Sequence, residues 1–312
     1  MFLKRMLLLN FNKLVLLLIG ALLLISLFTS GCEKSVKVSF TTRDIIRFLI
    51  RDNPGIFSNS FLDTTRVNAA GSDFFFSRSF TVKSLDTVIT LNDLDTISIS
   101  PLNVVPKSPR DAGAEIIDTL IGQLKIDSAG NQKPVRNFRL PVTKFGYFQK
   151  LQSDAFVNRG WLVLGATQTF VGVDRIMDSV QLVGINSNRD TLIIRQARNA
   201  NLDPLSDPQV FKVRTNPYQF LPGDSVEVRV WVKISTFDTV YVFCHINDFS
   251  SIRRIQLGEV SPGEFQGGFK LVADSRLDYN FWRVAVDAIA HSTLTGGSFD
   301  NEIWGIIYQV HP

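Results

Sequence analysis

The stretch SVEVRVWVKI, residues 225–234, alternates without a break. Val226, Val228, Val230 and Val232 fall on one face, and Glu227, Arg229, Trp231 and Lys233 on the other. Period-two alternation with β-branched residues on the apolar side marks a half-buried strand. The same grammar runs outward in both directions: FFFSRSFTVKS, TVITL, TISIS and DTLIIRQ before it, TVYVFCHIN, SIRRIQLG, EFQGGFKLV, NFWRVAVDAIA and EIWGIIYQV after it. The chain is therefore predicted to be mainly β. One segment breaks the rule. In TTRDIIRFLIRDNPG, residues 41–55, Ile45, Phe48 and Leu49 recur at helical spacing, Thr41 or Thr42 offers a cap, Asp44 answers the amides of the first turn, and Pro54 with Gly55 ends the helix.

A break falls at NANLDPLSDPQV, residues 199–210, where prolines, aspartates and small polar residues interrupt the apolar pattern. The expected organisation is an N-terminal α+β domain over 42–200 with one clear helix and an antiparallel sheet, a linker over 201–210, and a β-sandwich over 211–312. Asp followed by Thr or Ser and a branched apolar residue occurs at Asp86, Asp95, Asp118, Asp178, Asp190, Asp224 and Asp238. The intervals are irregular, so these sites are not a repeat. They read as strand entries, with Asp ending a turn and Thr starting the extended segment.

VFKVRT, residues 210–215, makes seven short strands after the linker, and with PGD, SPGE and TGGSFDNE between them these resemble bacterial immunoglobulin-like and fibronectin-type domains, WRVAVDAIA being similar to the penultimate strand and EIWGIIYQV to the last. The inter-sheet cysteine pair of antibody-type domains is missing. Before the linker, the single helix and NRGWLVLGATQTF, residues 158–170, loosely resemble the cone-shaped SnoaL-like and nuclear-transport-factor-like folds. Enzymes of that superfamily often keep a histidine inside the cone, and residues 41–200 contain none.

At the N-terminus, Lys4, Arg5 and Lys13 precede an apolar run, Leu14 to Phe28, broken by Gly20 and Ser26. A positive end, an apolar middle and small residues at the exit are the parts of a secretory signal. The exit FTSGC resembles the bacterial lipobox, with Thr29 where that motif usually has Leu. The resemblance implies a signal peptide over 1–31, lipidation of Cys32 as the first mature residue, and a tether over 32–41. More than one acyl chain suffices for stable anchoring. The alternative is an uncleaved anchor from about Met6 to Phe28, which Asn10, Asn12 and Lys13 interrupt.

The mature chain holds 30 Lys and Arg against 29 Asp and Glu, since the three basic residues of the signal leave with it. A balance of +1 supplies no footprint for a polyanion, so nucleic acid is not an expected partner. With Cys32 lipidated, Cys244 has no intrachain partner and reads as a small buried apolar residue. Cys244 and His245 are adjacent on a strand, point to opposite faces, and cannot pair as nucleophile and base. No HExxH, CxxC, P-loop or GxSxG motif occurs, and no cofactor is expected. Asp287, Asp300, Asn301 and Glu302 are oxygen ligands suited to calcium, but their spacing is not diagnostic and no metal site is assigned.

If Val240, Val242 and Cys244 point inward, the face opposite the valines gathers Trp231, Tyr241, Phe243, Phe281 and Arg283 as a candidate interface, the opposite assignment of the Tyr241–Phe243 strand being the alternative. Packing against the preceding domain explains it more simply than an external partner does. The expected function is that of a lipid-anchored, extracytoplasmic cell-envelope protein with a non-catalytic binding or assembly role, its partners the membrane and a candidate envelope protein. The alternative is a hydrolase of an extracytoplasmic polymer using carboxylates such as Asp154, Asp174 or Glu115.

Overall fold

The computed structural model describes residues 41–59, 62, 64–69, 72–91, 111–128, 131–153, 157–172, 176–185, 191–195, 211–213, 219–233, 239–248, 251–271 and 280–310. Helix α1 (Thr42–Asp52) carries Asp44 in its first turn and Arg51 in its last, which suits the helix dipole. Its buried stripe is Ile45, Ile46 and Leu49, whereas Phe48 is 41% exposed. The expected trio of Ile45, Phe48 and Leu49 is thus corrected by one position, because Ile46 rather than Phe48 completes the inward face. Pro54 bars the helix from continuing and opens a second, short one, α2 (Pro54–Phe57), with proline at its favoured N-terminal position. A third, α3 (His291–Thr295), ends at Gly296 in the left-handed region.

The strands before the expected linker are β1 (Val67–Asn68), β2 (Phe74–Leu91), β3 (Asp111–Ser128), β4 (Asn131–Gln132), β5 (Arg136–Lys150), β6 (Trp161–Ala166), β7 (Thr169–Gly172), β8 (Met177–Gly184) and β9 (Thr191–Arg195). Those after it are β10 (Phe211–Lys212), β11 (Gln219–Phe220), β12 (Ser225–Val232), β13 (Val240–Asp248), β14 (Ser251–Gln256), β15 (Gly258–Ser261), β16 (Glu264–Lys270), β17 (Asn280–Ala290) and β18 (Asn301–Val310). The larger sheet runs β1-β2-β3-β5-β7-β18-β17-β13-β14, with β6 beside β5 and β10 beside β6; the smaller runs β15-β16-β12-β8-β9. Pairing is antiparallel throughout these two paths, and the short β11 lies parallel to β18.

Strands from either side of residues 201–210 share both sheets. In the larger, β7 bridges β5 and β18, with Val142 opposite Val171 and Trp304 opposite Phe170. In the smaller, β12 lies between β8 and β16, with Val230 facing Val180 on one side and Phe265 on the other. Residues Thr42–Pro312 accordingly form one compact unit. The linker itself lies outside the described residues. At the bridge, Gly172 has φ 91° opposite Glu302, and a side chain there would collide with the carbonyl oxygen of Asn301.

The long β2–β3 pair curls with β5 into a half-barrel, so that it turns back over one face of β13, β17 and β18. The other face of those strands packs on the smaller sheet. Val226, Val228 and Val230 meet Val242, Cys244, Val284, Val286, Trp304 and Tyr308 there, and all are at most 1% exposed. Burying each of these side chains contributes roughly 1.5–3 kcal/mol for the larger ones. Inside the curl, Phe76, Leu124, Phe138 and Val142 meet Phe243, Ala285, Ile289 and Ile303. Helices α1 and α2 bring Ile46, Leu49 and Phe57 into a further cluster with Phe148 of β5 and Phe211 of β10. Every residue of β18 is therefore buried.

Of the aspartates read as strand entries, Asp224 fits, its carboxylate accepting the Leu221 amide just before β12. Asp86 and Asp118 instead lie within β2 and β3, Asp86 beside the bulge in β2. Asp178 is the second residue of β8, and Asp95, Asp190 and Asp238 fall outside the described residues.

Candidate functional site

Strand parity decides what enters the curl. In FFFSRSF, Arg78 shares the face of Phe76 and Phe80, and in WRVAVDAIA, Arg283 and Asp287 share the face of Ala285 and Ile289. A charge on an apolar face needs a partner. Asp287, with 0% of its side chain exposed, has three. Nη1 of Arg78 donates to Oδ2 at 2.6 Å and Nη2 to Oδ1 at 3.3 Å, Nδ2 of Asn301 donates to Oδ1 at 2.7 Å, and Nε2 of His245 lies 3.1 Å from Oδ2. Burial alone would raise the Asp287 pKa, but the Arg78 charge and the bonds from His245 and Arg78 outweigh it and hold the carboxyl well below the usual carboxylate range. His245 is also fully buried. Burial lowers its pKa, overcoming the opposite pull of Asp287, with Arg254 and Arg78 pressing the same way as burial.

A second cluster fixes the turn after α2. Nζ of Lys144, on β5, donates to the carbonyl of Phe57, to that of Ser58 at 3.4 Å and to Oδ1 of Asn59 at 2.7 Å. Asn59 in turn donates to Asp118 on β3 at 2.6 Å. From β17, Arg283 donates to the carbonyls of Pro54, Gly55 and Ser58. Two basic side chains thus satisfy carbonyls that a helix end leaves without partners. Burial and the neighbouring Arg283 lower the Lys144 pKa to about 7, with Asp118 partly opposing; burial lowers Arg283 to about 10.

An aspartate holding a histidine is also the orienting half of a catalytic triad. Here both oxygens of the carboxylate are engaged, the pair is closed from solvent, and the neighbouring Cys244 points into the core between the sheets, where burial raises its pKa. The arrangement is built to hold strands together. The oxygen ligands considered for calcium do not gather into one site: Asp287 and Asn301 face into the curl, where the Asn301 amide donates to the carboxylate, Glu302 accepts the amides of Ile176 and Met177 and the indole of Trp304, and Asp300 accepts the Ser298 hydroxyl. Among the described residues, no group of three or more His, Cys, Asp or Glu side chains could hold a metal ion.

The candidate interface is distributed unevenly. Tyr241 and Phe243 are buried inside the curl, not on an outer surface. The Phe243 ring meets that of Phe76 edge-on at 5.3 Å, and the Tyr241 hydroxyl lies 3.1 Å from Nδ1 of His291. Arg283 is buried on the turn after α2. These three form an internal seam with elements that precede residue 200, Tyr241 and Phe243 with the strands of the curl and Arg283 with the α2 turn. Trp231 is half-buried on β12, between Ser179 and Glu264, and Phe281 pairs with Gln309 through its backbone, its side chain lying outside the described residues. Cys32, Asp154 and Asp174 are also outside them. Glu115 is half-buried on β3, and burial raises its pKa. The expected reading overlooked Arg78, Lys144 and Asn59. The signal for Arg78 and Lys144 was a charge on the apolar parity of a strand. No family model matches this chain, and no curated protein matches it in sequence.

Proposed function

We propose that the chain is a lipid-anchored cell-envelope protein with a non-catalytic binding or assembly role, tethered through Cys32 on the extracytoplasmic side of a bacterial membrane. The anchor rests on the sequence LLLISLFTSGC, and the non-catalytic role rests on one observation: the Asp287 carboxylate, best placed for chemistry by its histidine, is saturated by Arg78, Asn301 and His245. Among the described residues, no helix is long and apolar enough to cross a membrane.

An immunoglobulin-like Greek key is the proposed ancestry of the strands after residue 210. Its support is the pairing pattern, in which β12 joins β16 in one sheet while β14, β13, β17 and β18 run in that order in the other. A short strand parallel to the last one, as β11 is to β18, also fits that plan. Enclosure by β2, β3, β5, β8 and β9 would make it the centre of a larger fold.

A fatty-acid probe supplied to cells making the wild-type chain should label it, and Cys32→Ser should abolish the label and leave uncut precursor in the membrane. A wild-type protein that carries no lipid and keeps Met1 would overturn the anchor.

A further inference from the structure

Helix α1 turns Ile45, Ile46 and Leu49 inward and leaves Arg43, Arg47, Phe48 and Arg51 in solvent. At four-residue intervals the three arginines follow one another along a single exposed row, with Phe48 beside it. Phe48 is 41% exposed, and the guanidinium carbon of Arg51 lies 4.9 Å from its ring centroid. Asp44 and Asp52 reach Arg47 and Arg51 only at 3.7 Å, with both members of each pair exposed, so these contacts hold the arginines weakly. An exposed ring flanked by guanidinium groups suits the boundary between water and lipid headgroups.

The position of this helix in the chain adds an independent reason. Nine residues separate Cys32 from Thr42, and a connection of that length reaches at most about 35 Å. Charge is concentrated in the same place: residues 33–52 hold five basic against three acidic side chains, while residues 53–312 hold 25 against 26. The basic excess of the mature chain therefore lies next to the anchor, where an anionic surface would meet it.

We infer that the exposed face of α1 docks on the anionic lipid surface to which Cys32 tethers the chain. Arg43, Arg47 and Arg51 contact phosphate-bearing headgroups, and the Phe48 ring enters the interface between them. This docking rests on the lipid anchor proposed above, and it orients the half-barrel with α1 toward the membrane.

The test uses the full, mature chain carrying Phe48→Trp, reconstituted into vesicles of phosphatidylcholine alone or with about a third phosphatidylglycerol, each with brominated acyl chains. Quenching is read as the difference from wild type, which supplies the background of the native tryptophans. The expected result is quenching of the added tryptophan in the anionic vesicles, weakened by salt, with the docked-to-undocked ratio falling about fivefold for each arginine changed to Gln. Equal quenching in both vesicle types, quenching unchanged in the Arg43→Gln/Arg47→Gln/Arg51→Gln variant, or none at all would overturn the docking. The mass of the Cys32 peptide from the same sample reports the anchor separately. A lipidated chain without quenching removes the docking alone, whereas charge-dependent quenching without lipid on Cys32 removes the anchor and leaves the docking face.

Discussion

Replacing Asp287→Asn removes one charge from the centre of the curl and changes almost no volume. Arg78, with 3% of its side chain exposed, then keeps a positive charge with no counter-ion inside a low-dielectric core. Removing one member of a buried ion pair costs about 3–5 kcal/mol. The bonds from His245 and Asn301 lose their charge-assisted strength as well, which places the loss toward the upper end of that range. Against a total stability of about 5–15 kcal/mol this is a large fraction. Arg78→Met strands the carboxylate instead and should cost a similar amount. The double variant buries no lone charge, so its loss should fall short of the sum of the singles by about 2–3 kcal/mol. Urea unfolding of the full chain in mild detergent, followed by tryptophan fluorescence, measures all three. The pH dependence carries a matching sign. With its folded pKa depressed, Asp287 contributes stability above the ordinary carboxylate pKa, and that contribution is lost as pH falls through the folded value. His245, held neutral, adds a loss that begins as pH drops below about 6.5, because the unfolded chain then takes up a proton that the folded one refuses. A loss below about 1 kcal/mol for Asp287→Asn, or strictly additive singles, would refute the reading of this cluster as a buried strut.

Lys144 predicts the opposite pH limb. Between pH 7 and 10.5 the unfolded chain holds a proton that the folded one has released, so stability should rise with pH by up to about 1.4 kcal/mol per unit, and Lys144→Met should abolish that slope; a slope of opposite sign in pH-resolved melts would contradict the burial of this amine. Phe243→Ala should cost about 3–5 kcal/mol by opening a cavity beside Phe76, and a near-neutral result in the same melts would mean that the ring lies on a free surface. Cys244→Val should change stability by less than about 1.5 kcal/mol, and the native thiol should resist a maleimide reagent that modifies the unfolded chain within the same time; rapid native labelling would place it outside the core.

Local pattern carried the helix at 42–52, seven of the nine strands described after residue 210 and the inward row Val226, Val228 and Val230, because each follows from periodicity within one segment. Partners are another matter. Alternation states which side chains share a face and is silent on which strand lies alongside, so the pairings of β7 with β18 and of β8 with β12 had no local signature. The half-buried expectation also failed for β13, β17 and β18. Tyr241 and Phe243 were placed on the outer face of a sandwich, and the curl of the preceding strands covers them, while β18 is buried along its whole length. The unbroken apolar run IWGII, residues 303–307, did hold that information, since a strand buried on both faces has no polar side to show. Arg78, Lys144, Arg283 and Asp287 would ordinarily be assigned to solvent. Their burial depends on partners distant in sequence, Arg78 and Asp287 on each other across 209 residues and Lys144 and Arg283 on carbonyls of the turn after α2, which composition does not reveal.

A fragment beginning at Asp207 tests most directly whether the two halves of the chain share one fold. It keeps all seven strands of the proposed Greek key, but it loses Met177, Val180, Leu182, Leu192 and Ile194 from the core between the sheets. It also loses Phe76, Leu124, Phe138 and Val142 from above Phe243 and Ile289, and Arg78 from Asp287. Amide hydrogen exchange with urea melts of this fragment should show no cooperative transition and no strongly protected amides in β13, β17 or β18. A sharp transition with protection equal to that in the full chain would contradict the shared sheets and restore a self-sufficient C-terminal sandwich.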